Sequence, residues 1–153
     1  MQNRQGSPVR RLLLVMLTSV GLVFTANGTA SAATTFNIYG YSLNPDGRQI
    51  EVLRDGSYRG QGLYNADPQD GVQPVPGDAF RACDSYADGK GIEIHRRVGG
   101  GSWQVMSSTR GKSSPWCDLW NSANLAEGTA IDIRACIVDG DSATCSAAER
   151  TYA

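Results

Sequence analysis

The chain has one histidine, His95, and no Cys-x-x-Cys pair. Zinc held by sulfur and imidazole needs closely spaced ligands of that kind, so the spacing argues against a metal role for the four cysteines. No Gly-x-Ser-x-Gly turn is present to expose an esterase-type nucleophile. Nowhere does an apolar stripe recur at helical spacing for long enough to form a helix, and Pro115 to Asn121 offers one turn at most. Beyond Leu12 to Phe24, no run is long and apolar enough to span or anchor in a membrane.

That one run reads as an export signal. Arg4, Arg10 and Arg11 form a basic start, Leu12 to Phe24 the apolar centre, and Ala30-Ser31-Ala32 a small-residue cleavage site. The Arg10-Arg11 pair leaves twin-arginine export open beside the general route. Residues 1–32 are thus expected to be removed, leaving residues 33–153 as a single secreted domain with no membrane association. Of the 14 Lys and Arg, three belong to the signal, so 11 face 15 Asp and Glu and the formal net charge becomes −4. A surface of that sign argues against nucleic acid as a partner.

All four cysteines fall in the mature part, and an even count in an exported chain reads as two disulfides. Ile131, Ile133, Ala135 and Ile137 alternate with Asp132, Arg134 and Cys136, the period of a strand buried on one face. Asp139-Gly140-Asp141-Ser142 turns the chain back, which sets Cys136 opposite Cys145 in a non-hydrogen-bonded pair close enough to bridge. Cys83–Cys117 follows by elimination. The same register sets Asp132 against Glu149, a repulsive pair, so the far end of the hairpin is expected to splay or bulge.

In chain order, strands are expected at Thr34–Tyr41, Arg48–Arg54, Tyr58–Tyr64, Asp78–Asp84, Ile92–Arg97, Trp103–Arg110 and on both arms of the last hairpin. Asn44-Pro45-Asp46-Gly47 and Asp55-Gly56-Ser57 are turns. Asn65 to Gly77, with three prolines and two glycines, is a long surface loop. About eight short strands with such punctuation predict an antiparallel, immunoglobulin-like β-sandwich whose last strand is an edge.

Phe80-Arg81-Ala82-Cys83-Asp84 with Tyr86-Ala87-Asp88-Gly89, and Ile133-Arg134-Ala135-Cys136 with Val138-Asp139-Gly140 and Cys145, resemble a group of small exported actinobacterial proteins. That resemblance implies a disulfide-bonded β-sandwich and carries no activity or functional residues with it.

Candidate chemistry is sparse. His95, in Glu93-Ile94-His95-Arg96-Arg97, falls opposite Ile92 and Ile94 and is expected to face solvent as a surface histidine rather than a catalytic base. Asp84, Asp88 and Glu93 begin like a calcium loop, but Tyr86 stands at its third position and His95 at its twelfth, where a bidentate carboxylate is needed. No catalytic set, metal or cofactor is called for. The most unusual stretch is Ser113-Ser114-Pro115-Trp116-Cys117-Asp118-Leu119-Trp120, with two tryptophans beside a disulfide. They either cover the end of the core or anchor a partner, because an aromatic held by a cross-link loses little entropy on binding. Trp116 and Trp120 are the foremost binding candidates, with Tyr58 and Tyr64 behind them. The expected function is a non-catalytic binding module for a cell-surface polysaccharide or a secreted protein. The alternative is a secreted protease inhibitor that presents Trp116–Trp120.

Overall fold

The computed structural model describes residues 32–41 and 44–153, so the expected signal segment, apart from Ala32, lies outside the described residues. Each apolar and polar alternation becomes a strand. The elements are β1 (Thr34–Tyr41), β2 (Asn44–Arg54), β3 (Ser57–Asn65), β4 (Ala79–Asp84), β5 (Gly91–Val98), β6 (Gln104–Ser108), β7 (Trp116–Cys117), β8 (Asn121–Ser122), β9 (Ala130–Asp139), β10 (Ser142–Cys145) and β11 (Glu149–Tyr152). All pairs are antiparallel. One sheet runs β1-β2-β3-β4-β7 with β8 also on β4, and the other runs β10-β9-β5-β6 with β11 also on β9. Among the described residues no helix is long and apolar enough to cross a membrane.

Among the described residues eleven strands replace the expected eight or so. Two of the additions are β7, within Pro115–Asn121 where at most a helical turn is expected, and β8, which begins at the last residue of that stretch. The third arises because the last arm divides into β10 and β11. Consecutive strands β1 to β4 stay together as a meander, so the immunoglobulin order, which divides early strands between two sheets, is not what this register gives.

The two sheets enclose one core. Ile50, Val52, Tyr64, Phe80 and Ala82 come from the first, and Ile92, Ile94, Ile131, Ile133, Ala135 and Ile137 from the second. These are the inward positions of each alternation, and burying the larger of these side chains contributes roughly 1.5–3 kcal/mol apiece. Gly60 and Gly62 on β3 let the layers approach: a Cβ at Gly60 would stand 2.8 Å from the Ile92 side chain, as well as 2.2 Å from the Cys83 carbonyl oxygen of the neighbouring strand β4, and one at Gly62 would stand 3.1 Å from the Ala135 and Ile94 side chains.

The expected turn Asn44–Gly47 lies inside β2, where Gly40 pairs with Arg48 and Tyr41 with Asn44, so Pro45–Gly47 is looped out. The Gly47 N–H donates to Asn44 Oδ1 at 3.0 Å and holds that loop. At the C-terminal hairpin the predicted register is the observed one: Ser142 pairs with Asp139 and Cys145 with Cys136. Both bridges form, Cys83–Cys117 and Cys136–Cys145, each with Cα atoms 4.0 Å apart. Past Cys145 the pairing shifts by one residue, so Arg150 stands opposite Asp132 and Glu149 opposite Ile133. The expected repulsion is relieved by this irregularity, because Arg150 Nε now donates to Asp132 Oδ1 at 2.9 Å.

Candidate functional site

The Trp116–Trp120 turn is tied to both sheets. β7 pairs Cys83 with Cys117 and Asp84 with Trp116. At Asp118 the backbone N–H donates to the Ala82 carbonyl at 2.9 Å, and the carbonyl accepts from Arg81 Nε at 2.9 Å. The Asp118 carboxylate accepts from the Ser107 hydroxyl of β6 at 3.1 Å and from the Leu119 N–H at 2.9 Å. Asn121 Nδ2 then donates to the Met106 carbonyl at 2.6 Å.

Held this way, the turn pushes Leu119 outward until 83% of it is exposed, and it leaves Trp116 at 46%. Trp120 is half-buried, with the Arg81 guanidinium 5.7 Å from its ring centre. Lys112 Nζ stands 5.9 Å from the Trp116 ring. The two tryptophans therefore divide the alternatives between them: Trp120 leans on the protein and Trp116 is presented.

Leu119, Trp120 and Arg81 form one side of an open cleft of about 220 Å³, and Gln73, Pro74 and Val75 the other. Those last residues belong to the Asn65–Gly77 loop, which is pinned at its base. Asn65 Nδ2 donates to the carbonyls of Asp67 at 2.6 Å and Pro76 at 2.8 Å, while Asn65 Oδ1 accepts from Asn44 at 2.9 Å and Gln69 at 2.8 Å. Gln69 and Val75 exchange backbone hydrogen bonds across the loop, which leaves Val72 fully exposed at the tip.

Tyr58 and Tyr64 part company. Tyr58 is exposed at the start of β3, near the end where Gly60 pairs with Asp84, the partner of Trp116. Partial burial pushes its pKa up. Tyr64 is a correction: it is 0% exposed, it packs on Phe80 with ring centroids 4.8 Å apart, and its hydroxyl donates to the Tyr152 carbonyl at 3.1 Å. Burial, reinforced by Asp78 and Asp46, raises its pKa. A ring enclosed by both sheets offers no face to a partner.

His95 is a second correction. It lies on the outward face of β5, as alternation requires, yet it is 7% exposed. Long side chains and the Cys136–Cys145 bridge cover that face. The His95 Nε2 atom lies 2.9 Å from Glu93 Oε2, and Nδ1 is 3.3 Å from Arg134 Nε and 3.7 Å from Cys136 Sγ. Because Arg134 can only donate, Nδ1 accepts and Nε2 carries the proton toward Glu93. The Arg134 and Arg97 guanidinium carbons stand 4.2 and 4.6 Å from the Trp103 ring centre. Trp103 and these arginines were not singled out by the sequence, because no spacing rule shows a side chain folding across a sheet.

Glu93 is buried, which opposes its ionisation, but hydrogen bonds from His95, Arg110 and Ser108 outweigh this and hold its carboxyl below the ordinary value. Asp132 is held low by hydrogen bonds from Arg150 and Arg97. Burial and then the nearby charge of Arg97 push the Arg134 guanidinium down. The three acids of the calcium-like stretch are each engaged by protein donors: Asp84 by the Tyr86 N–H and the Ser114 hydroxyl, Asp88 by the Lys90 N–H, and Glu93 as above. His95, Cys136 and Cys145 bring their ligating atoms within 4.8 Å of one another, but the two sulfurs are bonded to each other.

Comparison of the chain with protein-family models, with curated proteins and with solved structures finds no match.

Proposed function

We propose that this is an exported, non-catalytic binding module, and that its contact surface is the Trp116–Trp120 turn together with Gln73–Val75. The observation that carries the reading is Leu119, an aliphatic side chain 83% exposed on a turn braced by a disulfide and by Asp118. A protruding leucine suits a pocket in another protein, whereas a sugar ring would be met by a flat aromatic face. The reading therefore favours a secreted protein over a cell-surface polysaccharide. The two disulfides accord with an oxidising, extracellular setting, and the resemblance to exported actinobacterial proteins agrees with it.

The test is a binding screen of residues 33–153 against secreted proteins and insoluble polysaccharides, repeated with Leu119→Asp and with Val105→Asp as a control on a different exposed apolar residue. Capture of a protein, weakened about tenfold or more by Leu119→Asp and untouched by Val105→Asp, supports the reading. Binding indifferent to Leu119→Asp, Trp116→Ala and Trp120→Ala overturns it.

The same residue favours a second reading, a protease inhibitor. Leu119 follows the bridged Cys117 and precedes β8, so it is offered on a segment that needs little ordering on docking. Dose-dependent inhibition of a chymotrypsin-like enzyme would support this; rapid cleavage beside Leu119 without inhibition would rule it out.

A further inference from the structure

Away from the binding turn, the outer face of the second sheet encloses a nucleophile, a base and a carboxylate in series. Cys136 Sγ is 3.7 Å from His95 Nδ1, and His95 Nε2 is 2.9 Å from Glu93 Oε2. Glu93 is itself fixed by Ser108 at 3.0 Å and Arg110 at 3.1 Å, so the imidazole is aimed at the sulfur from behind. The bridge is asymmetric: Cys136 is fully buried, while Cys145 is half-buried on the four-residue edge strand β10. The other bridge shares the asymmetry, joining buried Cys83 to exposed Cys117, and differs in that among the described residues no side chain hydrogen-bonds to either of its sulfurs.

We propose that Cys136–Cys145 is a redox-active disulfide that exchanges with dithiols, and that His95 and Glu93 hold Cys136 as the thiolate once the bridge opens. This goes beyond the binding role and does not depend on it.

The step runs as follows. A thiolate of an external dithiol attacks Cys145 Sγ, the sulfur that solvent can reach. A new sulfur–sulfur bond forms to the reductant, the Cys136–Cys145 bond breaks, and its electron pair goes to Cys136 Sγ. The second thiol of the reductant then displaces Cys145 and closes the reductant into its own disulfide. Two electrons have passed to the protein. Of the two protons, one ends on Cys145 and one on His95 Nδ1, which Arg134 then gives up. The imidazolium lies between the Cys136 thiolate and the Glu93 carboxylate, an arrangement in which each charge is countered by its neighbour. The other charged groups that bear on this site are Arg134 and Asp132 from β9, Arg97 from β5, Arg110 after β6 and, through Asp132, Arg150 from β11; β10 brings none.

The test starts with the unaltered mature chain, equilibrated in reduced and oxidised dithiothreitol, trapped with iodoacetamide and mapped by mass. Cys136–Cys145 is expected to open at a reductant ratio at least about tenfold lower than Cys83–Cys117. In Cys145→Ser, which leaves Cys136 as a single thiol, alkylation is expected to reach half its maximal rate below about pH 7.5, against about 8.5 for an ordinary thiol. Adding His95→Gln is expected to move that midpoint up by about one unit or more. The proposal is overturned if Cys83–Cys117 opens first or both bridges open together. It is equally overturned if the Cys136 midpoint lies near that of an ordinary thiol or ignores His95→Gln. The order of opening needs no variant, so a Cys145→Ser chain that fails to fold does not remove the test.

Discussion

Glu93 shows how much one side chain can hold. Its pKa in the folded chain is below the ordinary 4.5, so its stabilisation is fully present above that value and is lost as pH falls through the lower, folded one. Asp132 acts with the same sign from an ordinary value of 3.8. The melting temperature should therefore drop below about pH 4.5, and Glu93→Gln should flatten that drop while lowering stability at pH 7; thermal melts across pH 3 to 7 would check both. At Gly60, substitution by Ala sets a Cβ against a backbone oxygen that cannot step aside, and urea titration should show a loss of about 3 kcal/mol or more. Gly62→Ala meets only side chains and should cost about 1 kcal/mol. Alternation in the sequence assigned His95 to the correct face but not its exposure, because Trp103, Arg134 and the bridge arrive from elsewhere in the chain. Tyr64 was legible as a strand residue, yet a tyrosine takes either face and nothing local announced its bond to Tyr152.

Among the elements, the last hairpin was the most legible, because Gly140 and the flanking alternation specify the turn and the turn specifies the register. Its continuation was less so. A like-charge clash between Asp132 and Glu149 announced an irregularity, and the chain answers with a shift that gives Arg150 to Asp132. Arg150→Glu restores the repulsion, so β11 should fray, with amide exchange at Thr151 and Ala153 rising at least about tenfold while the core stays protected. Strands β7 and β8 were invisible because two residues display no period. The three prolines make the long loop legible as a loop, but its anchoring by Asn65 is not legible, since those partners lie up to 21 residues away. Asn65→Ala should cost about 2–3 kcal/mol and speed proteolysis within Asp67–Pro76, readable by urea titration and limited digestion.

For the whole molecule, each bridge fastens a short outer strand to its sheet, β7 to β4 and β10 to β9. In the chain-entropy picture the 34-residue separation is worth about 3.8 kcal/mol and the 9-residue separation about 2.6 kcal/mol. Replacing Cys83 and Cys117 by Ser should thus lower the melting temperature more than replacing Cys136 and Cys145, which calorimetry would show. The two-sheet architecture was legible because inward positions recur along every long strand; the strand order was not, because patterning says which face is buried and not which neighbour is paired. The bridges also limit how far the chain can be drawn out. Pulled between Thr34, beside Asp139, and Tyr152, paired with Ala130 at the other end of β9, the chain is loaded along its strands, so β1 is sheared from its single partner β2 with its pairs sharing the load. The segments closed by sulfur never enter the stretched length, which stops roughly 140 Å short of that of the reduced chain. Tethered by its two ends, the molecule would behave as a strap whose stop is set by thiol chemistry.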